Sequence, residues 1–311
     1  MSSKSIKVGA SGTVANVSCG FDCLGYALKE PSDILTIKAS PKPKIEITVR
    51  GKKSDKIPLA PEKNTAGKAV ISLLNSLELK QGFNIDIYKG IPPGSGIGSS
   101  AASAAAALIG VNQLLDCPIS NKDLIIHGMV GEQVASGSFH ADNITPALLG
   151  GIVLVHNYDP LEIHKLPVPD NLVSSVALPD FMINTKEARK LLPKKVPLKS
   201  AVKQASNLAA FTISLYQNNF DLMSKSMIDL FAEPFRSELI PGFKSVHKSV
   251  MNAGAIGCGI SGSGPSVFAL SDNLEKGQEI SKIMQKEFQN NGLNSISYTS
   301  KINQSAPSIL D

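Results

Sequence analysis

The sequence predicts a two-domain α+β fold, and three observations carry that prediction. Strand-like stretches alternate with helices, but no regular strand–helix–strand repeat runs through the chain. Two glycine-rich connections stand far apart, one around Gly94–Gly98 and one across Gly254–Ala269. Between them the proline-rich segment Pro160–Pro169 marks a boundary, giving domains at residues 1–160 and 161–311. A chain of 311 residues, 42% hydrophobic, 5% aromatic and without tryptophan, has enough aliphatic and alanine-rich material to fill both.

Each element follows from local pattern. Ile6–Val8 starts a strand that continues extended through Ser11–Asn16, and Val17–Leu28 is a turn-containing stretch. Ile34–Ala39 and Ile45–Arg50 alternate apolar and polar residues in the β manner. Lys52–Lys63 is a charged loop, and Asn64–Leu77 is an amphipathic helix with Asn64 as its N-cap. Phe83–Lys89 is a strand, and Ala101–Leu115 a helix of alanine and leucine that stops before Pro118. Asn121–Ser136 is helical, Gly137–Leu149 an irregular polar loop, and Gly150–His156 an apolar strand. Beyond the boundary come a strand at Val173–Leu178 and a short basic helix at Lys186–Leu192. Helices follow at Lys199–Gln217 and Phe220–Leu230, then a loop at Ala232–Gly242 and a helix at Phe243–Ala253. Leu274–Asn291 is a long amphipathic helix, Ser295–Thr299 a last strand, and Ser305–Asp311 a loose tail.

The order strand, glycine loop, helix N-terminus at Phe83–Leu115 has a chemical use. First-turn N–H groups of a helix lack intrahelical partners, and the helix dipole adds partial positive charge there. Gly94, Gly96 and Gly98 let the backbone approach an anion closely, and Ser99 and Ser100 add hydroxyls at the same spot. This is a phosphate cradle. It is not a Walker A loop, which needs a lysine at the helix start, nor the dinucleotide fingerprint, whose third glycine is spaced differently.

Four further groups of residues stand out. Asn16, Gly20, Phe21, Asp22 and Gly25 make a turn; by itself a Gly-Phe-Asp turn is ordinary. Glu132 lies late in a helix that is otherwise nearly uncharged around Met129, Val130, Val134 and Ala135. Most such glutamates are solvated, yet an isolated carboxylate on an apolar helix calls for a cation. His140, Asp142 and Asn143 sit in a polar loop that could be merely capped. Arg189 and Arg236 would ordinarily be solvated; planar bidentate donors of this kind also suit a carboxylate.

These strings together resemble the GHMP kinases, a family that includes galactokinase and mevalonate kinase. PPGSGIGSSAA resembles that family's ATP-phosphate loop, usually Pro-x-x-x-Gly-Leu-Gly-Ser-Ser-Ala, with Ile97 as the one departure. GISGSGPSVFAL resembles the motif that closes over that loop, with Gly262 and Gly264 setting its shape. ANVSCGFDCLG, GSFHADNITPALLGG, INTKEARKLLP and AEPFRSELIPGF resemble, in matching order, the branch of the family that phosphorylates L-homoserine. Val14 stands where that branch usually has serine, and Ser18 where it often has glycine.

The resemblance implies a two-domain GHMP kinase fold. Its N-terminal ATP-binding domain would be ribosomal protein S5 domain 2-like and its C-terminal domain ferredoxin-like. It implies ATP-dependent phosphorylation of the side-chain hydroxyl of L-homoserine, on the way to threonine, with ATP and Mg²⁺ as cofactors. ATP would lie on Pro92, Pro93, Gly94, Ser95, Gly96, Ile97, Gly98, Ser99, Ser100, Ala101 and Ala102, with Asn64 near adenine or ribose. Ser100 and Glu132 would hold Mg²⁺. Asn16, Asp22, His140, Asn143, Thr185, Arg189 and Arg236 would bind the amino acid: Asp22 the ammonium, the two arginines the carboxylate, Asn143 the hydroxyl. Ser100, Glu132, Asn143 and Asp22 are thus the expected catalytic set, without an evident dedicated base. Another kinase of the family, such as one for mevalonate, or a non-catalytic sensor of the same fold are the alternatives.

Charge and cysteine usage narrow the classes further. A net charge of +5 with scattered lysines and no interleaved aromatics suits small anionic ligands better than nucleic acid. Cys19, Cys23, Cys117 and Cys258 form no Cys-x-x-Cys pair, which fits a reduced cytoplasmic protein. The opening MSSKSIKVGASG lacks a signal peptide's apolar run, and no stretch is long enough for a membrane span. A homodimer is the expected assembly.

Overall fold

The computed structural model describes residues 4–116, 119–137 and 139–310. Cys117 and Pro118, the thiol and the helix stop named above, lie outside the described residues, as do Met1–Ser3, Ser138 and Asp311. In chain order the elements are β1 (Ser5–Ala15), β2 (Leu24–Ser40), β3 (Ile45–Gly51), α1 (Thr65–Ser76), β4 (Gly82–Lys89), α2 (Ser99–Leu114), α3 (Asn121–Ser136) and α4 (Ile144–Leu149). Next come β5 (Ile152–Tyr158), β6 (Leu161–Leu166), β7 (Val173–Pro179), α5 (Thr185–Lys190), α6 (Leu198–Gln217), α7 (Phe220–Ser226), α8 (Glu233–Arg236) and α9 (Phe243–Asn252). The chain ends through β8 (Gly257–Ile260), β9 (Val267–Ser271), α10 (Leu274–Asn290), β10 (Ser295–Lys301) and β11 (Ser308–Leu310).

Two sheets organise the described residues. The first runs β11-β1-β2-β4-β3, with the β5–β6 hairpin attached to β2. The second runs β10-β7-β9-β8. All ladders are antiparallel except β3 with β4, which α1 connects as a single crossover. The α+β architecture expected from the sequence is the one found.

Helix α7 stops at Ser226 and not at Leu230, and the loop expected at Ala232–Gly242 contains the helical turn α8. Four further segments differ from the expectation, each for a physical reason. The stretches around Leu24–Leu28 and Ile34–Ala39 are one 17-residue strand, β2. Its Pro31 falls between the segment paired to β5 (Leu24–Tyr26) and the segment paired to β4 (Ile34–Ser40), beside a register shift against β1. A residue with no N–H is tolerated where no ladder runs. The prolines of 160–169 bracket a strand, β6, and do not break it; β6 therefore joins the first sheet from beyond residue 160. The loop expected at Gly137–Leu149 contains the short helix α4, whose apolar side chains are buried. The tail expected to be loose is strand β11, paired with β1 through Lys7–Gly9.

Helix α2 lies at the heart of the larger core. Its alanines from Ala101 to Ala107 are fully buried, and it packs on β1, β2, α1 and α3. Methyl side chains permit that close approach, and it holds the N-terminus of α2 firmly at the rim of the sheet. A second, smaller core of Phe243, Val246, Ile260, Val267, Met284 and Phe288 joins α9 and α10 to β8 and β9.

Candidate active site

The loop between β4 and α2 is held open by its glycines. Gly94, Gly96 and Gly98 have φ of 71°, 84° and 63°. A Cβ on Gly96 would stand 2.5 Å from the carbonyl oxygen of Gly264, so the two glycine-rich stretches pack backbone to backbone. Ser261 Oγ donates to Gly96 O at 2.8 Å and Ser266 Oγ to Ser95 O at 2.5 Å. On the other side Thr13 N donates to Ile97 O at 3.1 Å. The N-cap of α2 is Gly98, with no side chain to satisfy the first-turn N–H groups. The result is a rigid ring of backbone amides at a helix N-terminus.

A buried ion pair underpins this ring. The Lys89 ammonium contacts the Asp33 carboxylate and also donates to Ser99 O at 2.8 Å and to Ser103 Oγ at 2.9 Å. Asp33 in turn accepts from Gly90 N at 3.1 Å, Ile91 N at 3.0 Å and Ser103 Oγ at 2.7 Å. Both charges are out of water, and their mutual hydrogen bonds tie β2, the end of β4 and the first turns of α2 together.

Glu132 reaches the same place from α3. Ser100 Oγ donates to Glu132 Oε2 at 3.0 Å. Burial raises the glutamate pKa to about 7, against the Ser100 hydrogen bond and the positive charge of Lys89. A desolvated carboxylate beside a hydroxyl is a hard-oxygen donor set, and it fits Mg²⁺.

The other half of the cavity is polar and zwitterionic. Asn16, Val17 and Ser18 are successively left-handed, with φ of 71°, 44° and 55°, and Asp22 has φ of 57°. Such a run is held by its side chains: Asn16 Oδ1 accepts from Asp22 N at 3.0 Å and Asn16 Nδ2 donates to Gly262 O at 3.0 Å. Arg189 binds the Asp22 carboxylate in bidentate fashion. Arg236 is almost fully buried and donates Nη1 to Gly262 O at 2.9 Å, while its Nε has no partner among the described residues. The Phe21 ring receives both guanidinium groups, at 5.8 Å for Arg189 and 5.6 Å for Arg236. His140 Nδ1 is 3.8 Å from Asp22 Oδ2. Burial, then the two arginines, depress its pKa against the pull of Asp22, which favours the neutral imidazole. Asn143 Oδ1 accepts from Thr13 Oγ1 at 2.7 Å, and the Thr185 and Ser263 hydroxyls are 3.2 Å apart.

Both halves line one cavity of about 600 Å³. Asn16, Asp22, Asn64, Pro93, Gly94, Gly96, Gly98, Ser99, Ser100, Glu132, His140, Asn143, Thr185, Arg189 and Arg236 all reach its wall. Pro92, Ser95, Ile97, Ala101 and Ala102 stand behind the wall, and Ala102 N is already spent on Gly98 O. Two lining side chains are committed locally. Ser99 Oγ donates to Ile91 O, and Asn64 caps α1 while donating to Pro58 O. Lys89 and Asp142 also line the cavity, without a role assigned from sequence. Lys89 ends a strand of alternating pattern and reads as a solvated residue. Asp142 stood in the right string; burial and the charge of Asp22 raise its pKa to about 7.

The sequence and the fold are similar to those of known proteins. The family model of the GHMP kinases N terminal domain matches residues 64–151, and that of the GHMP kinases C terminal matches residues 205–290. The homoserine kinase of Chlorobium phaeovibrioides is 42% identical over 295 residues, 92% of each chain. That of Methanococcus vannielii is 41% identical over 268 residues, 86% of this chain and 88% of the relative. The crystal structure of homoserine kinase from Cytophaga hutchinsonii superposes with a TM-score of 0.96 at 45% identity, covering 100% of this chain and 98% of that one. With the amide-ringed loop, the Ser100–Glu132 pair and the Asp22–arginine pocket around one cavity, the chain belongs to the GHMP kinase family, in its homoserine kinase branch.

Proposed function

We infer that the protein transfers the γ-phosphoryl group of ATP to the side-chain hydroxyl of L-homoserine, giving O-phospho-L-homoserine. One observation carries the reading: an anion cradle and a carboxylate–arginine pocket open into the same cavity. Asp22 and Arg189 now neutralise each other. A zwitterion exchanges that internal pair for two external ones, its ammonium taking Asp22 and its carboxylate taking Arg189 and Arg236. Asn143, oriented by Thr13, then receives the side-chain hydroxyl, and neutral His140 adds a polar wall without repelling the ammonium. Thr185, beside Ser263, faces the transferred group.

The amides of Gly96, Gly98, Ser99 and Ser100 hold the phosphates, and Pro93 and Asn64 border the nucleotide side of the cavity. Ser100 and Glu132 would hold Mg²⁺, which supplies neutralisation of phosphate charge when bound. Catalysis rests on positioning and on fixed charge. Residues 1–160, completed by β6 and β11 of the first sheet, form the nucleotide-binding domain of this reading, and the rest of 161–311 the second domain. Free Cys19, Cys23 and Cys258 support a reduced cytoplasmic setting. Among the described residues no helix is long and apolar enough to cross a membrane. A homodimer is supported by α6, where Leu198, Val202, Ala205, Ala209, Ile213 and Tyr216 form an exposed stripe at three- and four-residue spacing.

The decisive experiment is ATP-dependent phosphorylation assayed over L-homoserine, mevalonate and galactose, with and without Mg²⁺. Turnover of L-homoserine alone, and only with Mg²⁺, is expected. Equal turnover of mevalonate would reject the assignment of the arginines.

A further inference from the structure

The β5–β6 hairpin, on the surface, carries a cluster with different chemistry. His156, Glu162 and His164 place one ligand atom each within 4.8 Å of one another. The pairing register explains the convergence. His164 lies opposite Leu154, and Glu162 follows on the same face of β6 two residues earlier. His156, two residues after Leu154, occupies the irregularity between Val155 and Asn157 and turns to the same face. There His156 Nδ1 meets Glu162 Oε2 at 2.7 Å, and the two imidazole rings stand 6.0 Å apart between centroids. All three side chains are exposed to solvent, and among the described residues no lysine or arginine is paired with Glu162.

Two imidazoles and one carboxylate on adjacent strands form a set that favours Zn²⁺ over Mg²⁺, because imidazole nitrogen suits the softer ion. A three-ligand set leaves water to complete a tetrahedral shell. We propose that His156, Glu162 and His164 bind a divalent transition-metal ion, Zn²⁺ by preference, at a site separate from the Ser100–Glu132 pair. The ion would bridge β5 and β6 and lock the hairpin. That hairpin also carries Tyr158, whose hydroxyl donates to Asp22 O at 3.0 Å and accepts from Ala141 N at 3.3 Å.

The test is calorimetric titration of Zn²⁺ into the protein in buffer stripped of transition metals and holding millimolar Mg²⁺, which occupies hard-oxygen sites. One Zn²⁺ per chain is expected. Replacing a direct ligand should weaken it at least as much as the 10–100-fold typical of outer-shell changes, so His164→Asn and Glu162→Gln should each lose about tenfold or more. The double variant His156→Asn/His164→Asn should lose the site altogether and with it the rise in melting temperature that Zn²⁺ gives the wild type. Circular dichroism confirms that the variants fold. A wild-type protein with no stoichiometric Zn²⁺ binding, or a double variant that binds as the wild type does, would overturn the proposal. The second result would place the ion away from the hairpin.

Discussion

Arg189 closes on Asp22 through two hydrogen bonds, Nη2 to Oδ2 at 2.6 Å and Nη1 to Oδ1 at 3.3 Å. The pair mimics both ends of a zwitterion, so each side chain satisfies the other. It is only partly buried, with side-chain exposures of 34% and 26%, which leaves it free to open.

Replacing Asp22 by asparagine removes the charge that answers an ammonium and leaves the turn's backbone bond from Asp22 N to Asn16 intact. A charge-assisted hydrogen bond contributes about 1.5–3 kcal/mol, so KM for L-homoserine should rise about 10- to 100-fold. Nucleotide affinity should stay within about twofold on the same reasoning, since the cradle is untouched. Initial-rate kinetics with each substrate varied in turn would separate the two; equal shifts in both would count against the assignment.

Gly96→Ala puts a methyl 2.5 Å from Gly264 O at a φ of 84°. The new methyl meets a backbone carbonyl, so neither a rotamer change nor a flexible tip relieves the clash. The loop must move away from the 261–266 turn. Binding of an ATP analogue should weaken by about tenfold or more, as one displaced amide donor costs on the order of 1–3 kcal/mol. Unchanged analogue binding by fluorescence titration would contradict the backbone cradle.

Lys89→Met leaves Asp33 buried and without its cation. Breaking a buried pair on one side costs about 3–5 kcal/mol, so the urea midpoint should fall sharply. Asp33→Leu combined with Lys89→Met should be less damaging than the sum of the two single changes, because no orphan charge remains. Additive losses would show that each residue acts through packing alone.

Glu233, at the start of α8, is the cleanest source of a pH effect on stability. Burial, then the charge of Asp229, raises its pKa from 4.5 to about 7. The folded chain therefore holds a proton that the unfolded chain releases. This contribution is full below about pH 4.5 and is lost as pH rises through about 7, amounting to on the order of 2–3 kcal/mol. Glu233→Gln should flatten the fall in melting temperature between pH 5 and pH 8. An identical slope in wild type and variant would rule the glutamate out.

What could be read from sequence divides along physical lines. The Gly94–Ser100 loop and α2 were legible because their signals are local: alternate glycines, then alanines up to Ala107. The Asp22–Arg189 contact spans 167 residues, and only the resemblance of both strings to one family put the two in a single pocket. Lys89 and Asp33 were missed because strand alternation says which face a residue takes, not which partner waits there. Asn64 was read as a helix cap and also as a nucleotide contact; its side-chain hydrogen bonds run to α1 and to Pro58 O. The hairpin histidines were invisible for a related reason. Eight positions apart, they meet only because β5 is irregular at His156.

The pairing of β1 with β11 bears on how the chain is made. Lys7 finds Leu310 only after some three hundred intervening residues have left the ribosome. Until then one side of the nascent N-terminal sheet presents unsatisfied amides to the crowded cell. The exposed edge ends only once residues 308–310 have been made and have paired with β1.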